Sequence, residues 1–116
     1  QEEKKDKDIR PVREVKTYLE ENYHQEISLN DLADIVSPNA SYLSALFKKE
    51  TGTTLTNYVN GKRMEHAIYL LNTTMLPIQD IAVQGGINDV NYLTKLFKKT
   101  KKKTPTHYRE LIQKKH

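Results

Sequence analysis

YLSALFKK at residues 42–49 returns fifty positions later as YLTKLFKK at residues 92–99. Aligned without gaps, residues 39–58 and 89–108 agree at Tyr42/Tyr92, Leu43/Leu93, Leu46/Leu96, Phe47/Phe97, Lys48/Lys98, Lys49/Lys99, Thr54/Thr104, Thr56/Thr106 and Tyr58/Tyr108. Nine identities in twenty positions mean that one structural unit is written twice. The Leu-Leu-Phe members stand at i, i+3 and i+4, the spacing of one helix face, so each copy holds a helix with an apolar inner stripe and a Lys-Lys end.

The flanks extend the unit. Ahead of the first copy, Ser28-Leu29-Asn30-Asp31 has the spacing of a capping box, and Leu29, Leu32, Ala33 and Val36 form the stripe of a short helix over residues 29–36. Ser37-Pro38-Asn39 breaks it, because proline disfavours helix at the preceding residue; Asn39 or Ser41 can cap the next helix, over 40–51, which Gly52 stops. Ahead of the second copy, Ile78, Ile81 and Ala82 make the matching short helix, Gly85-Gly86 the turn, and Asn88-Asp89 the cap of a helix over 89–101. With one residue of slack in the turn, Asp31 pairs with Asp80 and Ala33 with Ala82.

Between the copies, Leu55, Tyr58, Val59, Met64, Ala67, Ile68 and Leu71 carry one stripe over about 18 residues, roughly 27 Å of helix. Gly61 inside it costs about 1 kcal/mol against alanine, which predicts a close backbone approach at that point. Pro11, Val12, Val15, Tyr18, Leu19 and Tyr23 predict a first helix over 10–23; Thr104-Pro105 opens a last one carrying Tyr108, Leu111 and Ile112. No segment sustains a strand alternation. The expected fold is all-α: seven helices in two helix-turn-helix subdomains, residues 10–53 and 74–116, joined by a long helix over 54–73 and preceded by a charged tail, residues 1–9, that reads as a cut linker.

Length and composition narrow the function. A chain of 116 residues holds one compact domain or two very small ones, too little for a catalytic domain plus a sensor. It has no cysteine, which excludes disulfides and cysteine-ligated zinc and suits a reducing cytoplasm. No apolar run approaches the roughly 18 residues that span a bilayer, and the N-terminus is charged rather than signal-like, so a soluble cytoplasmic protein with no membrane partner is expected. His24, His66 and His107 lack metal-ligand spacing and are expected at the surface; there is no HExxH, phosphate-binding glycine loop or other catalytic constellation. No catalytic residue, metal or cofactor is expected.

The net charge of +4 is unevenly spread. Residues 1–26 carry 6 basic and 8 acidic side chains, residues 27–75 carry 4 and 4, and residues 76–116 carry 9 and 3, local sums of −2, 0 and +6. A polyanion would meet the C-terminal third first. A short helix, a tight turn and a second helix ending in lysines is a helix-turn-helix pattern, in which the second helix presents its outer face to a major groove. Two copies joined by one continuous helix suit a duplex whose groove returns on one face every ~34 Å.

SLNDLADIV, SYLSALFKKETG, NYVNGKRMEHAIYLL, PIQDIA, NYLTKLFKK and TPTHYR together resemble the DNA-binding domain of the AraC/XylS transcription regulators, over about residues 10–115. The resemblance implies sequence-specific binding of double-stranded promoter DNA by a bacterial regulator, with RNA polymerase as a further partner and a separate N-terminal sensor or receiver domain in the whole protein. Carried over residue by residue, base contacts fall on Ser41, Ser44 and Ala45 in the first unit and on Asn91, Tyr92, Thr94 and Lys95 in the second. Phosphate contacts fall on Lys48, Lys49, Lys98, Lys99, Lys101, Lys102, Lys103, Thr104 and Arg109, with Arg63 and Asp80 as internal polar braces.

The two reading sets differ in chemistry. Asn91 can pair with adenine N6/N7 and Lys95 with guanine O6/N7, whereas Ser41, Ser44 and Ala45 offer only hydroxyls and a methyl. Ala45 stands where relatives often carry arginine. Lys102 stands where the family usually has glycine, so a distorted turn is expected there. The alternative function is a helical protein-interaction module that kept the fold and lost tight DNA binding.

Overall fold

A computed structural model of the chain describes residues 9–28, 31–32 and 39–114. Among them run six helices: α1 (Arg10–Asn22), α2 (Ala40–Thr51), α3 (Leu55–Thr73), α4 (Ile78–Gln84), α5 (Val90–Lys101) and α6 (Pro105–Lys114). The architecture is all-α. Of the helix expected over 29–36, Asp31 and Leu32 are helical, the Asp31 N–H donates to Ser28 Oγ at 3.0 Å, and the rest lies outside the described residues.

Two compact units divide these elements. The first takes the chain up to Asn22 and Ile27–Val59; the second takes Tyr23–Glu26 and everything from Asn60 onward. Helix α3 therefore gives its first turn to one unit and its remainder to the other.

In the first unit α1 packs on α2, burying Val12, Val15, Leu19, Leu43, Leu46 and Phe47 together with Leu32, Leu55 and Val59. In the second, α4 packs on α5 and α5 on α6, around Met64, Ala67, Leu70, Leu71, Ile81, Ala82, Ile87, Leu93 and Phe97. Burying a leucine or phenylalanine of this kind contributes roughly 1.5–3 kcal/mol, which is what two thin cores can draw on.

The matched positions of the repeat are the joints of the unit. Asn39 caps α2 by accepting from the Tyr42 N–H, and Asp89 caps α5 by accepting from the Asn91 N–H, each at 2.9 Å. Thr54 and Thr104 cap the following helices, accepting from Asn57 N–H at 3.0 Å and His107 N–H at 3.1 Å. Phe47 meets Tyr58 edge-on with centroids 5.4 Å apart, and Phe97 meets Tyr108 at 5.2 Å. Edge-to-face pairs of this type add about 0.5–1.5 kcal/mol beyond area burial.

Several expectations need correction. A Cβ on Gly61 would meet nothing within 4 Å, so no backbone approaches there. The close approach is at Gly86, φ +90°, where a Cβ would run into the Tyr23 carbonyl and lie 2.7 Å from His24 Cα. Asp80 is exposed in the first turn of α4 rather than an internal brace; its charge there faces the positive end of the helix.

Arg63 does serve as a brace, its Nε donating to the Tyr23 carbonyl and its Nη2 to the Gln25 carbonyl, both at 2.8 Å. Burial lowers its pKa, opposed by the nearby Tyr92. His66 is half-buried rather than superficial, with Nδ1 2.7 Å from the Tyr23 hydroxyl and its ring 5.7 Å from that of His24.

Candidate nucleic-acid interface

The outer face of α5 follows from its inner one. Leu93 and Phe97 are buried and Leu96 packs half-buried against the same core, so the opposite stripe, at i, i+4 and i+7, consists of Asn91, Lys95 and Lys98. All three are exposed. Tyr92, 41% exposed, and half-buried Thr94 flank them. Asp89 accepts from the backbone at the start of α5, while Lys98, Lys99 and Lys101 occupy its last turn, which suits the helix dipole at both ends.

Helix α2 carries the equivalent stripe with other chemistry. Ser41, Ala45 and Lys48 are exposed, Ser44 is half-buried, and Lys49 lies exposed beside Lys48 in the last turn. Because Asn39 supplies the cap, the Ser41 hydroxyl is not needed for it. The stripe of the first unit thus presents a hydroxyl, a methyl and an ammonium, and that of the second a carboxamide and two ammoniums. Only the second offers a carboxamide, the group that pairs at two points with adenine N6/N7.

The cations expected at phosphates divide into two groups. Lys48, Lys49, Lys98, Lys99, Lys101 and Lys102 are exposed and Lys103 is half-buried. Arg109 is turned inward: Nη1 donates to the Leu76 carbonyl at 2.6 Å and Nη2 to the Thr74 carbonyl at 3.3 Å, tying α6 to the segment before α4. Thr104, half-buried, has its hydroxyl engaged as the cap of α6.

Lys102 does not distort its turn. It takes the left-handed conformation, φ 63°, that a glycine would take, and its N–H donates to the Lys98 carbonyl. Among the described residues no group of three His, Cys, Asp or Glu side chains can hold a metal ion, and no helix is long and apolar enough to cross a membrane.

Asn60, which the sequence reading left out, touches this face. Its Nδ2 donates to the Tyr92 hydroxyl at 2.9 Å, across 32 positions of chain. No local periodicity carries such a pair.

Comparison with known proteins identifies the family to which this fold belongs. The helix-turn-helix domain family matches residues 32–111. An HTH-type transcriptional regulator of Staphylococcus aureus strain MSSA476 is 34% identical over 98 residues, 84% of this chain; the chain spans 13% of that regulator's length. The C-terminal domain of the two-component response regulator yesN from Fusobacterium nucleatum is 39% identical with a TM-score of 0.79, over 84% of this chain and 95% of that one. The DNA-binding domain of AdpA, solved with a target DNA, reaches a TM-score of 0.85 over 91% of this chain and 96% of that one, but at 21% identity it is a likeness of fold alone.

The chain belongs to the AraC/XylS family of helix-turn-helix transcription regulators, as a DNA-binding domain of that type. That family is not one of enzymes.

Proposed function

We propose that the domain binds promoter DNA with α2 and α5 in adjacent major grooves, and that α5 carries most of the base reading. The observation that supports this best is the exposed stripe Asn91, Lys95 and Lys98, against Ser41, Ala45 and Lys48 at the same positions of the other unit. Asn91 pairs with adenine and Lys95 with guanine O6/N7, each such contact discriminating by about 1–3 kcal/mol. Ser41, Ser44 and Ala45 make short-range contacts, Ala45 with a thymine methyl, and Thr94 supports its neighbours on α5.

Lys48, Lys49, Lys98, Lys99, Lys101, Lys102 and Lys103 neutralise phosphates, setting register without reading sequence. Arg109 and Thr104 leave that set, because their polar groups serve the fold.

The domain is the output module of a longer bacterial regulator, acting on promoter DNA in the cytoplasm, with a sensor or receiver domain ahead of it and RNA polymerase as the second partner. The 13% share of the Staphylococcus regulator, and the response-regulator C-terminal domain among similar structures, support the modular part.

Selection from random duplex DNA, followed by titration of the enriched site across salt, tests this reading. Two boxes about one helical turn apart, with a log–log salt slope steeper than about −4, are expected. A single box would make α2 a backbone clamp, and no enrichment at low salt would favour a helical protein-interaction module.

A further inference from the structure

Tyr92 lies beside the proposed reading stripe, yet its hydroxyl is already engaged by its own fold. Asn60 Nδ2 donates to it at 2.9 Å. Asn60 and Arg63 are three residues apart on α3 and so share a face of that helix. Arg63 grips the carbonyls of Tyr23 and Gln25, so this face of α3 holds the 23–25 turn through one residue and α5 through the other. All five residues belong to the second unit.

On α5, Tyr92 sits next to Asn91, three residues before Lys95, and in the first turn, where its own N–H is bonded back to the Asp89 carbonyl at 3.0 Å. A tether here fixes the roll of the first turn of α5 about its axis. Rotating an α-helix by one residue moves a side chain through about 100°, so even a small part of that rotation would carry the Asn91 carboxamide and Lys95 ammonium off a base edge. The tether joins two partly exposed groups, so it adds little to global stability. Geometry at the reading face is where it counts.

We propose that Asn60 and Tyr92 form a strut that sets the orientation of Asn91 and Lys95, making both positioning residues for base discrimination and removing Tyr92 from the base-contacting set. This rests on the reading of α5 as the recognition helix. Discrimination is defined as the affinity ratio between the selected site and a scrambled duplex.

The experiment is a double-mutant cycle with Tyr92→Phe, Asn60→Ala and the pair together. It is read as that ratio, alongside the Asn60 side-chain amide resonance in DNA-free protein. Tyr92→Phe keeps the ring and removes only the hydroxyl, so folding is retained. The expected result is a shift of the Asn60 amide resonance in Tyr92→Phe, a discrimination loss of about 3- to 10-fold in either single variant, corresponding to one hydrogen bond, and no further loss in the double variant. Binding of the scrambled duplex stays unchanged throughout.

An unshifted Asn60 resonance, additive losses, or equal losses on both duplexes would overturn the strut. A wild-type domain that binds both duplexes equally while the Asn60 resonance still shifts in Tyr92→Phe would refute the reading of α5, and the positioning role with it, while leaving the contact real.

Discussion

Gly52 and Lys102, fifty residues apart, hold the same left-handed backbone, with φ of 81° and 63°. Each closes its helix by donating its N–H to the carbonyl four residues back, Lys48 at 2.8 Å and Lys98 at 3.0 Å. Glycine takes this conformation without a steric penalty, whereas an L-residue with a Cβ costs about 1–2 kcal/mol there. The second unit therefore places a lysine in a glycine's position.

Lys102→Gly should raise unfolding free energy by about 0.5–1 kcal/mol, the relieved strain exceeding the extra entropy of the unfolded glycine chain. Denaturant unfolding checks the stability. Under the proposed function the same variant binds DNA with a salt slope shallower by about 0.9.

Arg109 separates a structural cation from a binding one. Arg109→Ala removes two charge-assisted bonds that hold α6 to the Leu76 and Thr74 carbonyls, and should cost about 2–4 kcal/mol in denaturant unfolding. Measured where the variant is still folded, its salt slope should equal that of the wild type. A shallower slope would return Arg109 to the phosphate set.

Gly61 and Gly86 should respond in opposite directions. Gly86→Ala forces a Cβ against the Tyr23 carbonyl at positive φ and should destabilise by at least about 2 kcal/mol. Gly61→Ala adds a methyl to open space inside a helix and should stabilise by about 1 kcal/mol. Thermal unfolding of both variants orders them directly.

The six helices among the described residues were legible in the sequence almost to the residue because their ends are local. Asn39, Gly52, Thr54, Asp89 and Thr104 each bond within four positions of themselves, and a cap is a short-range pattern. The partners of the braces were not legible, because they lie far away in the chain: Asn60 with Tyr92, Arg63 with Tyr23, and Arg109 with Leu76 are separated by 32, 40 and 33 positions, and Arg63 was expected as a brace only through the family resemblance. For Arg109 a signal existed, since it follows Tyr108 and precedes Leu111 and Ile112 in the apolar stripe of α6, a half-inward position. For Gly61 the inference from a small residue to a close neighbour failed because an open helix surface also tolerates glycine.

His66 gives the second unit a pH dependence of definite sign. Burial, and secondly the neighbouring His24, lower its pKa from the ordinary value of 6.5. The folded state therefore binds fewer protons than the unfolded chain as pH falls through about 6.5, and stability declines there, levelling off below the folded pKa. The groups facing the ring are the Tyr23 hydroxyl and His24, with Glu65 close enough to help raise the Tyr23 pKa after burial does so. His66→Gln should flatten the fall in unfolding free energy between pH 7 and 5, measured as the difference from wild type.

The central claim, that α5 reads bases while its flanking lysines hold backbone, is tested most directly by measuring Lys95→Ala and Lys98→Ala on the selected site and on a scrambled duplex. Lys95→Ala should lose about 1–3 kcal/mol on the selected site and little on the scrambled one; Lys98→Ala should weaken both alike and make the salt slope shallower by about 0.9. Equal losses from Lys95→Ala on both duplexes would contradict the account.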